Sequence, residues 1–210
     1  MTRIIAGSAR GRRLEVPAAG TRPTADRVRE AMFSSLQALL SVNGIPWSQT
    51  HVLDGYSGSG ALGLEALSRG AASVLLIENR SAACSVIQRN IEVLGLPGAR
   101  VTTASLATVA ARKHRGDQYG LVLLDPPYEV SAGTIAAELA VLAEHGWLAD
   151  DAVIMVERPR NQPEAPLPAD CDLLRSRAYG DTVLWYGQWV PGRGASTTES
   201  STMSMEARNA

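Results

Sequence analysis

From residue 51 onward the chain alternates short apolar runs with longer stretches in which apolar residues recur every three or four positions. The runs "HVLD" (51–54), "SVLLIE" (73–78), "ARVTT" (99–103), "YGLVLLD" (119–125) and "AVIMVE" (152–157) are too short for helices and read as strands. Between them, Leu64 and Leu67 within 60–69 have helical spacing, as do Ala83, Val86, Ile87 and Leu94 within 81–94, where Gly95 closes the helix. A short helix is expected at about 105–113, and "TIAAELAVLAEHG" (134–146) is another. Continuous apolar strands alternating with helices predict a parallel sheet covered on both faces.

The two ends break this rhythm. Residues 159–170 hold four prolines and read as a loop. "DLLRSRAYGDTVLWYGQWV" (172–190) reads as two strands around a Gly-Asp turn, so the sheet gains an antiparallel edge. A dehydrogenase half would continue with further parallel units instead. At the start, "RIIAGSARGRRLEVP" (3–17) predicts a small basic hairpin lying outside the packing of the sheet. "TADRVREAMFSSLQALL" (24–40) predicts a helix that docks through Val28, Met32, Leu36, Leu39 and Leu40. Residues 191–210 are rich in Ser, Thr and Gly and are expected to form a disordered tail. The organisation is then a hairpin arm (1–21), one main domain (22–190) and the tail, with no internal repeat. Trp185, Tyr186 and Trp189 could form a stacking platform, but alternation within a hairpin favours packing for them.

Composition changes this picture at three points. At 45% hydrophobic the 210-residue chain can bury a sizeable core. Its net charge is −1, so no global field points to nucleic acid or membrane, yet residues 1–30 carry seven arginines against Glu15, Asp26 and Glu30. That is a basic arm on a near-neutral body. Cys84 and Cys171 lie far apart, which suits two reduced thiols in a cytoplasmic protein. His51, His114 and His145 are scattered and nothing has metal-ligand spacing, so no metal site is expected. No apolar run resembles a signal or membrane-spanning segment.

The first chemical signal is Gly58-Ser59-Gly60-Ala61-Leu62-Gly63, a G-x-G-x-x-G after an apolar strand. By itself it fits NAD or any other adenosine-bearing cofactor. The second is Asp125-Pro126-Pro127-Tyr128, at the end of a buried strand. Two prolines make a stiff turn lacking N–H groups, so the neighbouring carbonyls project without local competition. Asp125 and the Pro126 carbonyl can both accept from one planar amino group, and Tyr128 offers a face on which a base can stack. The lone pair of a nucleobase amine is delocalised into the ring. Two acceptors that hold its N–H bonds turn that lone pair toward an incoming methyl, and the carboxylate stabilises the charge that develops on nitrogen.

D-P-P-Y together with a D-x-x-x-G-x-G loop resembles the amino-group methyltransferases that use S-adenosylmethionine. "RIIAGSARGRRL", "RPTADRVREAMF" (22–33), "GALGLEALSRGA" (60–71) and "DPPY" together resemble, more narrowly, the bacterial RsmD-type 16S rRNA guanine-N2 methyltransferases, over about residues 3–190. The resemblance implies a class I S-adenosylmethionine-dependent methyltransferase fold: Rossmann-like α/β, a mostly parallel seven-stranded sheet with an antiparallel last strand, and a basic N-terminal hairpin. It implies catalysis by Asp125, Pro126, Pro127 and Tyr128. It places Asp54 near the methionyl ammonium, Gly58 and Gly60 along the methionine and ribose, Glu78 on the ribose hydroxyls and the backbone of Ser105–Leu106 at the adenine, with Tyr56 and Asn79 in the same cofactor set. Gly63 is read as a small residue for helix–strand packing. Arg10, Arg12, Arg13, Arg22 and Arg27 are expected to hold RNA, and a monomer acting on the small ribosomal subunit is implied. The chain departs from the family in having "YSGSG" for "FAGSG", Ser34 where Asn is common, and Ser105 where an Asp or Asn often reaches the adenine. The alternatives are a DNA adenine-N6 methyltransferase, which lacks its target-recognition domain here, a protein glutamine methyltransferase, and a non-catalytic RNA-binding or assembly factor.

Overall fold

The computed structural model describes residues 2–17 and 26–192; Arg22 and most of the expected tail lie outside them. The chain starts with a hairpin of β1 (Thr2–Arg3) and β2 (Arg13–Leu14), followed by α1 (Asp26–Val42). Next come β3 (His51–Gly55), α2 (Ala61–Ser68), β4 (Ser73–Glu78), α3 (Ser81–Leu94), β5 (Ala99–Thr103) and α4 (Leu106–Ala110). The rest is β6 (Tyr119–Leu124), α5 (Ala132–Glu144), β7 (Leu148–Pro159), β8 (Cys171–Tyr179) and β9 (Thr182–Trp189).

Seven of these strands form one sheet in the order β5-β4-β3-β6-β7-β9-β8. Strands β3 to β7 are parallel, and β9 inserts between β7 and the edge strand β8, antiparallel to both. The parallel, doubly covered sheet is the one expected from the alternation, and its seven strands with an antiparallel last one are the class I methyltransferase architecture that the resemblance implied. Strand alternation sends Val52, Val74, Leu76, Leu123 and Met155 to one face, against Met32, Phe33, Leu36 and Leu40 of α1, Leu64 and Leu67 of α2, and Ile87 of α3. Leu53, Val122, Leu124, Ile154 and Val156 go to the other, against α4 and α5 through Val109, Ile135, Leu139 and Leu142. Tyr186 is buried in the first layer while Trp185 and Trp189 pack on the second, so all three are packing residues.

Two elements differ from the pattern. Strand β7 starts four residues before the expected position, at Leu148 opposite Tyr119, and the ladder then slips so that Leu121 faces Val153. The acidic pair Asp150–Asp151 bulges out there, with Asp151 at φ 60°, which hides the strand's beginning from an apolar count. Helix α4 is shorter than expected because the polar run after Ala111 has nothing to bury.

The N-terminal hairpin is also packed rather than appended. Ile4, Ala9 and Leu14 enter the first core layer. The carboxylate of Glu65 on α2, fully buried, accepts from the Ile5 and Ala6 N–H groups at 2.7 and 3.0 Å and from Arg69 Nε at 2.8 Å. Gly7 has φ 83°, and a Cβ there would stand 1.8 Å from the Ser68 carbonyl oxygen, so only glycine permits this approach. Arg29 of α1, also buried, donates to Thr2 Oγ1, the Arg3 carbonyl and Asp26. Asn90 of α3 ties both backbone groups of Glu15 to the Ser59 carbonyl in the glycine loop. Among the described residues no helix is long and apolar enough to cross a membrane.

Candidate active site

The sheet register aligns four acids. Gly55 of β3 lies beside Ile77 of β4 and Leu124 of β6, and Leu124 lies beside Val156 of β7. One residue further along, Glu78, Asp125 and Glu157 therefore reach the carboxyl ends of their strands at one level, with Asp54 just below them on β3. All four side chains fall on the face of Val52, Leu76, Leu123 and Met155, because alternation carries the pattern through each strand. The chain leaves β3 toward β4 and β6 toward β7, in opposite directions, so the crevice between β3 and β6 is the topological switch point. The structure thus brings Asp54, Glu78 and Asp125 together as expected, and adds Glu157.

The glycine loop wraps the Asp54–Glu78 end. Gly58 and Gly60 have φ 58° and 78°, and Tyr56 is also left-handed at 60°. Asp54 is buried, and its Oδ2 accepts from the Gly63 N–H at 2.8 Å. A Cβ on Gly63 would stand 2.7 Å from Val74 Cγ2 and 2.9 Å from Asp54 Oδ2, so this glycine serves the packing expected of it and the hydrogen bond as well. Burial pushes the Asp54 carboxyl up to about 7; the Gly63 N–H opposes this and the charge of Glu78 adds to it. Glu78 accepts from the Gly58 N–H at 2.9 Å and from Arg80 N and Nε at 3.0 and 3.1 Å. An ionised carboxylate has about four acceptor sites, which leaves one for a ribose hydroxyl unless the Arg80 side chain moves.

Other expected cofactor residues take specific places. The Tyr56 hydroxyl donates to Glu138 of α5 at 2.6 Å, and burial followed by that carboxylate pushes its ionisation upward. Ser105 caps α4, its Oγ accepting from the Thr108 N–H at 3.1 Å, and Leu106 is buried against Gly55. Their side chains are structural, and the α4 N-terminal backbone N–H groups, which have no partner within a helix, are what the pair can offer a ligand. Asn79 is exposed just past β4.

At the other end, Asp125 is half-buried and Tyr128 is 43% exposed. The turn is braced from below. Arg158 of β7 donates to the Val130 carbonyl at 2.6 Å and to Gln162 Oε1, while Gln162 Nε2 donates to the Tyr128 carbonyl at 3.0 Å. The Asp125 carboxyl lies well above the ordinary carboxylate range, mainly through burial, then through the charges of Glu157 and Asp54; Arg158 pulls the other way. An open depression of about 470 Å³ next to Tyr128 is lined by Pro159, Arg160, Asn161 and Asp181.

Of the expected RNA contacts, Arg10, Arg12, Arg13 and Arg27 are exposed, with Arg12 also donating to the Val93 carbonyl at the end of α3. Glu157, Arg158, Gln162 and Glu138 were not singled out from sequence. Glu157 had a readable signal: like Asp54, Glu78 and Asp125, it is the acid that ends an apolar strand.

The acids and the loop say which kind of ligand fits. Asp54 and Asp125 are held above their ordinary ionisation range by burial and by neighbouring negative charge. A pyrophosphate would add negative charge to this floor, whereas a cation would relieve it. These acceptors therefore suit a cationic ligand and do not suit the pyrophosphate of a dinucleotide.

Comparison with known proteins agrees with this geometry. The family model described as "Conserved hypothetical protein 95" matches residues 2–188. The Escherichia coli (strain K12) protein named Ribosomal RNA small subunit methyltransferase D is 38% identical over 182 residues, covering 86% of each chain. Its namesake from Haemophilus influenzae is 33% identical over 181 residues, covering 85% of this chain and 89% of the relative. The solved structure of yhhF from Escherichia coli superposes with a TM-score of 0.75 at 38% identity, covering 90% of this chain and 98% of that one. The chain accordingly belongs to the Conserved hypothetical protein 95 family, the family of the ribosomal RNA small subunit methyltransferases D, as its N-terminal block, glycine loop and D-P-P-Y turn suggested.

Proposed function

We propose that this protein transfers a methyl group from S-adenosylmethionine to the exocyclic N2 amine of a guanine in 16S rRNA of the small ribosomal subunit. The carrying observation is the Asp125–Tyr128 turn, standing at the switch point beside an acid-lined floor. The names of the relatives support RNA of the small subunit as substrate.

When bound, S-adenosylmethionine supplies a methyl group made electrophilic by its sulfonium. Asp54 would hold its ammonium, the remaining acceptor site of Glu78 a ribose hydroxyl, and the α4 N-terminus its adenine. Asp125 and the Pro126 carbonyl accept the two N–H bonds of the target amine. That orients the nitrogen lone pair and stabilises its developing charge. The nitrogen must give up one proton for the methyl it gains, and the raised Asp125 carboxylate is a competent acceptor at its Oδ atoms. Pro127 stiffens the turn, and Tyr128 stacks on the base, a contact worth roughly 1–3 kcal/mol. The depression beside Tyr128 leaves room for a flanking nucleotide, and the exposed arginines of the hairpin contact phosphates.

The test is transfer of tritiated methyl to small subunits from a strain lacking the enzyme, with nucleoside analysis of the product. N2-methylguanosine in 16S rRNA is the expected result. Label in adenine N6, in protein, or nowhere would overturn the reading.

A further inference from the structure

The register that aligns Asp125 also sets Glu157 directly beside it on β7, on the same face of the sheet. Neighbouring strands lie about 4.8 Å apart, so two carboxyl side chains share one level of the crevice. Glu157 is 6% exposed and Thr182 Oγ1 donates to it at 3.4 Å. The next residue, Arg158, points to the opposite face and is 1% exposed. Its Nη2 braces the turn through Val130 and Gln162, while its Nε and Nη1 are buried and have no hydrogen-bond partner among the described residues. An apolar side chain would fill that space without burying unpaired donors. A buried acid and a buried guanidinium in succession, bracketing one carboxyl, make no sense as packing alone.

We propose that Glu157 and Arg158 are positioning residues for Asp125, holding its carboxyl between a repelling and an attracting charge so that it accepts and then releases the amine proton. The inference rests on the role given to Asp125 above. The charged groups that act on Asp125 among the described residues are Asp54 from β3 and Glu157 from β7 on its own face, and Arg158 from the opposite face of β7. Glu157 and Asp54 hold the proton on, and Arg158 favours its loss. Without Glu157 the Asp125 carboxylate would bind the amine but be a weaker proton acceptor; without Arg158 it would stay protonated and fail to accept the N–H bond.

Two measurements test this. The first follows the Asp125 carboxyl carbon by NMR in ¹³C-labelled, cofactor-free protein, with Asp125→Asn identifying the resonance. The second follows the acid limb of kcat for methyl transfer to small subunits. Glu157→Gln should move both midpoints to lower pH, by about one unit, or roughly tenfold in the charged-to-neutral ratio. Arg158→Met should move both to higher pH, and Arg158→Lys should restore the wild-type position. A structural role would lower activity or melting temperature without opposite displacements. Unmoved midpoints, or displacement of both in the same direction, overturn the proposal. If Arg158→Met does not fold, Glu157→Gln and Arg158→Lys decide it. If wild-type protein transfers no methyl, the function above has failed, while the carbon titration still decides the role of Glu157 and Arg158.

Discussion

Replacing Asp54 by Asn should stabilise the cofactor-free protein at neutral pH while abolishing its affinity for S-adenosylmethionine. The folded-state carboxyl titrates at about 7 instead of 3.8, chiefly because it is buried, with Glu78 opposing its ionisation. Between those two pH values the unfolded chain has lost the proton and the folded one retains it. Folded protein thus binds more protons, and stability falls as pH rises through the window. Above about 7 both states are ionised and the loss is complete and constant. A displacement of roughly three pH units corresponds to about 4 kcal/mol on this scale. Asparagine can still accept from the Gly63 N–H through its carbonyl oxygen but carries no charge, so the variant escapes that loss. Urea denaturation at about pH 4 and about pH 8 separates the effect from any packing offset, which cancels between the two. The wild type should lose several kcal/mol more than Asp54→Asn over this interval. Calorimetry with S-adenosylmethionine supplies the other half. Near neutral pH wild-type binding should release a proton, visible as a binding enthalpy that depends on the buffer, and the variant should show neither binding nor release. Equal pH dependence in the two proteins, or tight binding by the variant, would refute the account of an acid kept strained for a cation.

Asp125→Ala should lower kcat by ~10²–10³ with the fold intact, and Tyr128→Phe should be far milder than Tyr128→Ala in the same methyl-transfer assay. Glu65→Ala leaves the Ile5 and Ala6 N–H groups without their acceptor, at about 1–3 kcal/mol each; hydrogen exchange should show the hairpin loosening while α5 stays protected. The triple Arg10/Arg12/Arg13→Ala variant should keep its calorimetric cofactor affinity and lose methylation increasingly with salt, with a binding slope reduced by about one for each phosphate no longer neutralised; full activity at both low and high salt would make these arginines a solvated face. The hydrogen bond from Arg12 to Val93 lies at the surface, so removing it should leave the melting temperature nearly unchanged.

Most strands and helices could be read from periodicity because each has one dominant constraint. Strands β4 and β5 and helix α3 occupy the expected residues, since their apolar residues have a single place to go. Where two constraints compete, sequence was a poorer guide. The start of β7 is a bulge around Asp151, acidic in sequence and left-handed in backbone, which an apolar count excludes. The hairpin looked like a free basic arm because its arginines dominate its composition. Part of its attachment is made by backbone N–H groups on Glu65, which are invisible in any residue pattern.

The residue types and spacing along the chain were enough to determine the alternating architecture, the acids Asp54, Glu78 and Asp125 at the ends of their strands, the glycine loop and the turn with two acceptors and an aromatic ring. These are local matters, governed by side-chain period and by what glycine and proline do to the backbone. Only the tertiary structure decided that Glu157 stands beside Asp125, that Arg158 lies buried beneath the turn, that Glu78 is already bonded to Gly58 and Arg80, and that Asp54 titrates at about 7. Those facts depend on strand order and register, which bring residues far apart in the chain to one level of one crevice. They depend also on burial, because a carboxyl's charge state is set by how much water and how many neighbouring charges surround it, and neither is carried by the residue's place in the chain.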